Sequence, residues 1–439
     1  MHPPAAPFPR PLDQAEAFFW LLDRHSSMNF SVIAEGHGPL PSAAVAAALP
    51  KLQQRHPLLA VAIVHDPAQH LCFEAAPEAA VSFHTSQSND ADWRDELARA
   101  TVEPFALGSA PLFRAHHYTL PEQRWVLALT FHHSIADARS AFAVLSEALQ
   151  LASGAISHLP AIPPRPPLLA LYPEHWQNEA GQAAANMLKT IKRDEHKALG
   201  LPATLPGYEE HPSVQGPSFV SLHYPAELLK LLGQRAKAES ATLHGVIGAA
   251  QLLALRQQME GAGEKVLGLT SPADLRPTLA APVDTATPGF YVTLLSPAFR
   301  VDRIEDFWAL AREISARNRQ HFERGDGHLL YHFFPPARSF GIDAEGQQAF
   351  DEMMGRGTQT SLLSNVGRLP AIEGLTEITV EHLSFSLCPA PKQPIFTSAT
   401  TYQSRLTLNL SYDRQRLPEP LLRQIAHSLD HLLHWAAEE

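Results

Sequence analysis

Apolar residues fall into short runs that alternate with longer stretches at helical spacing, and the sharpest change of rhythm lies at residues 125–149. Trp125-Val-Leu-Ala-Leu-Thr-Phe131 is an apolar run bounded by polar residues, which predicts a buried strand. From Ala138 onward Phe142, Val144, Leu145 and Leu149 recur at helical spacing, which predicts a helix with one apolar face. Asp137 stands just before that helix. A carboxylate there accepts free backbone N–H groups and meets the positive end of the helix dipole. A strand thus passes into a helix through the tight turn His132-His133-Ser134-Ile135-Ala136-Asp137.

The same reading extends along the chain. Leu12-Asp13-Gln14-Ala15-Glu16 opens an N-capped first helix, Met28–Glu35 reads as a strand, and Ala43–Arg55 as a helix ending in Arg55-His56-Pro57-Leu58. Leu59–His65 and Leu71–Phe73 predict a hairpin, followed by a helix over 91–101. Phe113–Tyr118 reads as a strand antiparallel to the one at 125–131. Residues 154–175 hold too many prolines for regular structure and begin a crossover, with a helix over Glu174–Lys197 and a second proline-rich loop to about 216. Beyond it come strand Phe219–His223, helices Ala226–Ala238 and Leu243–Met259, strands Val266–Thr270 and Tyr291–Leu295, and a helix over 304–323. Strands at Ser361–Val366, Ile378–Leu387 and Arg405–Tyr412 precede a closing helix over 419–436.

This alternation is α/β, and 439 residues are too many for one simple core. The expected division is a first domain over 1–170, a crossover over 171–216 and a second domain over 217–439. Hydrophobic residues at 45% and charged residues at 18% suit a well-cored protein. A net charge of −11 argues against nucleic acid, whose phosphates need basic patches. No uninterrupted apolar run approaches the length of a membrane span, and the proline-rich start lacks a secretory h-region. Cys72 and Cys388 stand far apart, which fits a reduced, cytoplasmic protein without a disulfide framework.

Chemistry concentrates at the His-His turn. Histidine titrates near neutrality, so one held unprotonated at a cleft can take a proton from an alcohol or an amine. With 24 His in the chain, composition alone yields His-His-x-x-x-Asp only about 0.05 times, so the strand-turn-helix setting carries the weight. A buried histidine beside a helix cap is the plain alternative. Gly-x-Ser-x-Gly and His-Glu-x-x-His do not occur, and Gly261-Ala-Gly-Glu-Lys265 lacks Walker spacing. His427, His431 and His434 share a face of the last helix, which reads as solvated, although metal ligation there is conceivable. Lys189, Lys192, Arg193 and Lys197 form a basic stretch, read as solvated surface or as a contact for an acidic partner.

His132-His133-Ser-Ile-Ala-Asp137, Arg55-His56-Pro57-Leu58 and Asp274-Leu275-Arg276-Pro277 together resemble the chloramphenicol-acetyltransferase-like superfamily. Within it the chain looks like the condensation domains of nonribosomal peptide synthetases and the polyketide-associated acyltransferases of the phthiocerol dimycocerosyl transferase type. Gly38-Pro39-Leu40 before the second helix and His56-Pro57 after it are similar to the latter. Ala138 stands where condensation domains usually carry Gly, which counts slightly against peptide formation. The Asp-Phe-Gly-Trp-Gly motif of plant acyl-CoA-dependent relatives is absent.

The resemblance implies two chloramphenicol-acetyltransferase-like α/β domains, with mixed sheets flanked by helices and an active-site tunnel at their interface. It implies direct acyl transfer with His132, His133 and Asp137 as the catalytic set: His133 the base, His132 structural, and Asp137 turned from substrate to pair with Arg276. Ser134 and Asn365 would line the tunnel, and no metal or bound cofactor is expected. The acyl donor would be a phosphopantetheine thioester on an acyl or peptidyl carrier protein, and the acceptor a small alcohol or amine. The expected activity is ester formation by a stand-alone, monomeric acyltransferase of polyketide or nonribosomal peptide biosynthesis. An amide-forming condensation enzyme and a non-catalytic carrier-binding homologue are the alternatives.

Overall fold

A computed structural model describes residues 8–68, 70–88, 92–302, 306–332 and 344–438. The start of the proline-rich lead-in, and positions 91 and 304 at the heads of two expected helices, lie outside the described residues.

The first half contains strands β1 (Arg10–Pro11), β2 (Asn29–His37), β3 (Val61–His65), β4 (Leu71–Ala75), β5 (Ser82–Gln87), β6 (Phe113–Thr119) and β7 (Arg124–His132). Its helices are α1 (Gln14–His25), α2 (Ser42–Arg55), α3 (Asp92–Val102) and α4 (Ala138–Ala152). Short helices α5 (Leu168–Leu171) and α6 (Glu174–Gln177) lead to α7 (Glu179–Leu199). One helix was expected over 174–197. Asn178 instead turns extended and caps α7 by accepting the Ala180 N–H.

The second half contains strands β8 (Pro217–Tyr224), β9 (Lys265–Asp274), β10 (Val292–Leu295), β11 (Ala298–Val301), β12 (Ser361–Arg368), β13 (Thr379–Leu387), β14 (Phe396–Tyr402) and β15 (Arg405–Asp413). Its helices are α8 (Ala226–Ala238), α9 (Leu243–Gln257), α10 (Phe307–Glu323), α11 (Asp326–Tyr331), α12 (Ala344–Gly355) and α13 (Glu419–Glu438). Among the described residues no helix is long and apolar enough to cross a membrane.

Two large sheets carry the fold, and both are mixed. The first runs β13-β2-β7-β6-β5, antiparallel except where β5 meets β6. The second runs β10-β9-β12-β14-β15-β8, with β11 also on β9; β12 is parallel to both of its neighbours. Helices flank both sheets, the mixed α/β architecture expected. One strand crosses the expected boundary at 217: β13, from the second half of the chain, pairs with β2 from Phe30 to His37. The close approach is possible because residue 36 of β2 is glycine. A Cβ there would sit 2.2 Å from the Thr379 carbonyl oxygen and 2.6 Å from the Trp125 ring.

Burial explains why these segments hold. In α4, Phe142, Val144, Leu145 and Leu149 are buried against the first sheet and α2. Each such side chain contributes about 1.5–3 kcal/mol relative to exposure. Helix α9 is buried on every side between α10 and α13, so it lacks a polar face.

Candidate active site

The His-His turn forms where β7 ends. The Ile135 N–H donates to the His132 carbonyl at 3.1 Å, and the Ser134 N–H to His132 Nδ1 at 3.1 Å. Asp137 N-caps α4, its Oδ1 accepting the Ser140 N–H at 3.0 Å. His132 ends β7 and Asp137 caps α4, which leaves His133 in the turn between them.

The two histidines differ in setting. His132 is fully buried against the rings of Trp20 and Phe105. With Nδ1 accepting a hydrogen bond, its proton resides on Nε2, 3.8 Å from Asp23 Oδ2. Burial, reinforced by the neighbouring His133, pushes its pKa down to about 3. Burial likewise lifts Asp23 to about 6, against the Met28 N–H that its carboxylate accepts. His132 therefore shapes the turn through the Ser134 N–H that it accepts.

His133 is only half-buried and borders a cavity of about 530 Å³. Phe19, Phe30 and Phe290 hold its ring at centroid distances of 4.7, 4.8 and 5.5 Å. Nδ1 is buried, which leaves Nε2 as the nitrogen open to the cavity. Burial lowers its pKa; backbone contacts at His133 and Ala136 and the Asp137 carboxylate oppose this but do not win. The ring is accordingly neutral near pH 7, the form that accepts a proton.

Asp137 borders the same cavity, yet its oxygens are already taken. Oδ2 meets Arg276 Nη2 at 2.9 Å and accepts the Tyr291 N–H at 3.2 Å. Arg276 also reaches Asp274 at 3.1 Å and lies over the Tyr291 ring, 4.5 Å from its centroid. The contact expected between Asp137 and Arg276 is therefore present, reaching across from one half to the other.

Asn365 lines the cavity, its Oδ1 accepting the Gly367 N–H at 2.8 Å across a bulge in β12. Ser134 does not join it. The Ser134 hydroxyl is buried and donates to the Glu16 carbonyl at 2.7 Å, tying α1 to the turn. His56 and Arg55 both contact Glu147, at 2.6 and 2.8 Å, so that motif clamps α2 to α4 rather than serving the cavity. His427, His431 and His434 are exposed on α13, and no cluster of three metal-ligating side chains occurs among the described residues. The basic stretch on α7 divides: Lys189, Arg193 and Lys197 are exposed, whereas Lys192 lines the cavity.

The cavity is walled by both halves. Phe18, Phe19 and Phe30 face Leu294, Phe385 and Phe396, so its surface is predominantly apolar. Sequence alone missed the aromatic lining from α1 and Lys192 from α7. The adjacent Phe18-Phe19 pair was the one available signal, since two neighbouring aromatics widen the apolar face of a short helix.

Known proteins bear on this geometry. Tyrocidine synthase 3 of Brevibacillus parabrevis is 26% identical over 429 residues, 92% of this chain but 6% of the synthase. The chain thus spans only a small part of that relative. Polyketide synthase associated protein 5 from Mycobacterium tuberculosis superposes with a TM-score of 0.66 at 18% identity, covering 98% of each chain. Trichothecene 15-O-acetyltransferase TRI3 from Fusarium sporotrichioides gives 0.73 at 13% identity, covering 97% of this chain and 94% of that one. These likenesses show the fold. The condensation-domain family model matches residues 17–329, well over half of the sequence and including the His-His turn, and the chain belongs to the condensation-domain family.

Proposed function

We propose that this protein is an acyltransferase that moves an acyl group from a carrier-protein thioester to a hydroxyl, forming an ester, in polyketide or nonribosomal peptide biosynthesis. The observation that carries the reading is His133: a neutral, half-buried imidazole on the wall of an apolar cavity, held by three aromatic rings. Its Nε2 takes the proton of the acceptor hydroxyl as the oxygen attacks the thioester carbonyl carbon. When the C–S bond breaks, the sulfur leaves as a thiol, taking the proton back from the imidazolium. The chain's own residues suffice for this proton path, and no acyl-enzyme is formed. Asp137 acts through position, because its oxygens are committed to Arg276, Tyr291 and Ser140. An apolar cavity strengthens the developing charge interactions and aligns the two reactants, effects worth several kcal/mol together.

The test is a panel of alcohols and amines offered with one octanoyl carrier thioester, with products identified by mass. Ester products that vanish in His133→Ala support the proposal. Amide products alone would replace it with the amide-forming alternative, and turnover unaffected by the substitution would remove the base.

A further inference from the structure

Charges on the cavity wall are almost all spoken for. Asp137 is held by Arg276; Asp274 is held by Arg276 at 3.1 Å and by Arg139 at 3.4 Å. Lys192, on α7, is the exception: it makes no hydrogen bond and no ion pair within 4 Å to a described residue. The carboxylates whose fields reach it are Glu195 and Asp326. Arg324 contacts both, at 3.6 Å and at 2.6 Å, the latter through two nitrogens. His196, one turn further along α7, lines the same cavity. The wall therefore offers a positive group, partly withdrawn from water, beside a space large enough for a reactant.

We infer that Lys192 binds an anionic group carried by one of the reactants, a carboxylate or a phosphate, and so selects acidic substrates over their neutral analogues. The inference rests on the acyl-transfer reading for what enters the cavity, and it concerns recognition alone. A half-buried ammonium without a contact partner is costly to hold. Burial lowers the pKa of Lys192, with Glu195 and Asp326 opposing and Arg324 adding to the effect. An arriving anion relieves that cost and gains a charge-assisted hydrogen bond. The apolar remainder of the wall, including Leu294 and Phe396, takes the chain to which the anion is attached.

Two sources supply such an anion: a carboxylate on a reactant, and the phosphate of a pantetheine arm. Calorimetric titration of the full chain separates them without any need for turnover. Octanoate is compared with 1-octanol, and phosphopantetheine with pantetheine, on the unsubstituted protein, Lys192→Met and Lys192→Arg. The expected result is that at least one anion binds about tenfold to a hundredfold more tightly than its neutral partner. The preference should disappear in Lys192→Met and survive in Lys192→Arg, whose charge is retained. Preference in the first pair assigns the carboxylate, and in the second the phosphate. Absence of any preference on the unsubstituted protein, or a preference that persists in folded Lys192→Met, overturns the inference. His133→Ala should keep the preference while losing transfer, so failure of recognition and failure of the chemistry remain distinguishable.

Discussion

Asp137 and Arg276 stand 139 residues apart in sequence and meet at 2.9 Å, with side chains 1% and 5% exposed. One belongs to the helix cap behind the His-His turn and the other to the loop after β9, so the pair fastens the second half to the turn. Removing either partner leaves the other charged group buried. Asp137→Ala and Arg276→Ala should each destabilise by roughly 3–5 kcal/mol. The double variant should cost less than the sum, with a coupling of about 0.5–3 kcal/mol. Urea unfolding of the four proteins measures this, and strict additivity would mean that the contact contributes nothing.

The two histidines should separate chemistry from structure. His133→Ala is expected to lower kcat about 10²–10⁴-fold with an unchanged unfolding midpoint. His132→Ala, which empties a fully buried site and frees the Ser134 N–H, should destabilise by roughly 2–5 kcal/mol. Parallel assays and melts decide it; similar stability losses in both would contradict the division of roles.

The His133 pKa lies below its ordinary 6.5, lowered by burial. The base is therefore already neutral at pH 7, and kcat/KM should be flat there. Activity should fall only on the acid side, below pH 6.5, as the ring gains its proton. A profile still rising between pH 7 and 8 would point to a different titrating group. Circular dichroism at each pH keeps unfolding from being mistaken for titration.

Acid should unfold the protein by charging histidines that it buries neutral. Burial holds His116 and His132 at about 3, and His117, His244 and His328 at about 4, all against 6.5 in the open chain. Between about pH 6.5 and 4 the unfolded state binds more protons at these sites, so stability falls as pH falls. Asp13 and Asp23 act in the opposite sense, because burial raises them to about 7 and about 6. Fewer in number, they blunt the effect without reversing it. Calorimetric unfolding at pH 5 in buffers of different ionisation heat should register net proton uptake; net release would refute the balance.

The acyl donor should be a carrier protein more than a free thioester. With Lys192 inside the cavity, the exposed cations Arg193 and Lys197 on α7 are placed to meet an acidic partner on a chain of net charge −11. For one acyl group on a carrier, on coenzyme A and on a pantetheine mimic, kcat/KM should be highest on the carrier. Arg193→Glu with Lys197→Glu should raise KM for the carrier at low salt and leave the mimic unchanged. Equal efficiency on all three donors would remove the carrier from the reading.

What could be read from the sequence was what local signals specify. The caps at Asp13 and Asp137 depend on residues within one turn, and both are present with capping boxes. Strand β14 was invisible because Thr397, Ser398, Thr400 and Thr401 are polar yet buried. The hydroxyls of Ser398 and Thr400 are satisfied by the carbonyls of Phe385 and Leu383 on β13, an arrangement that hydrophobic periodicity cannot register. The same limit hid Lys192. Its spacing among other cations suggests surface, and only the packing of α7 over the cavity turns it inward. Aromatics at 18–30 and at 385–396 belong to one wall through the return of β13, a decision made hundreds of residues away.

That returning strand also sets where the chain can be cut. A fragment ending at 329, where the family match stops, would retain β2 and lose β13. One flank of β2, with Phe30, Val32 and Ala34 along it, would then present a bare row of amides and carbonyls. Such an exposed edge recruits a second copy in place of the missing strand. The recognisable stretch is therefore not an autonomous folding unit, and trimming to it invites self-association. Dissection of this protein into modules has to follow hydrogen bonding and not sequence similarity.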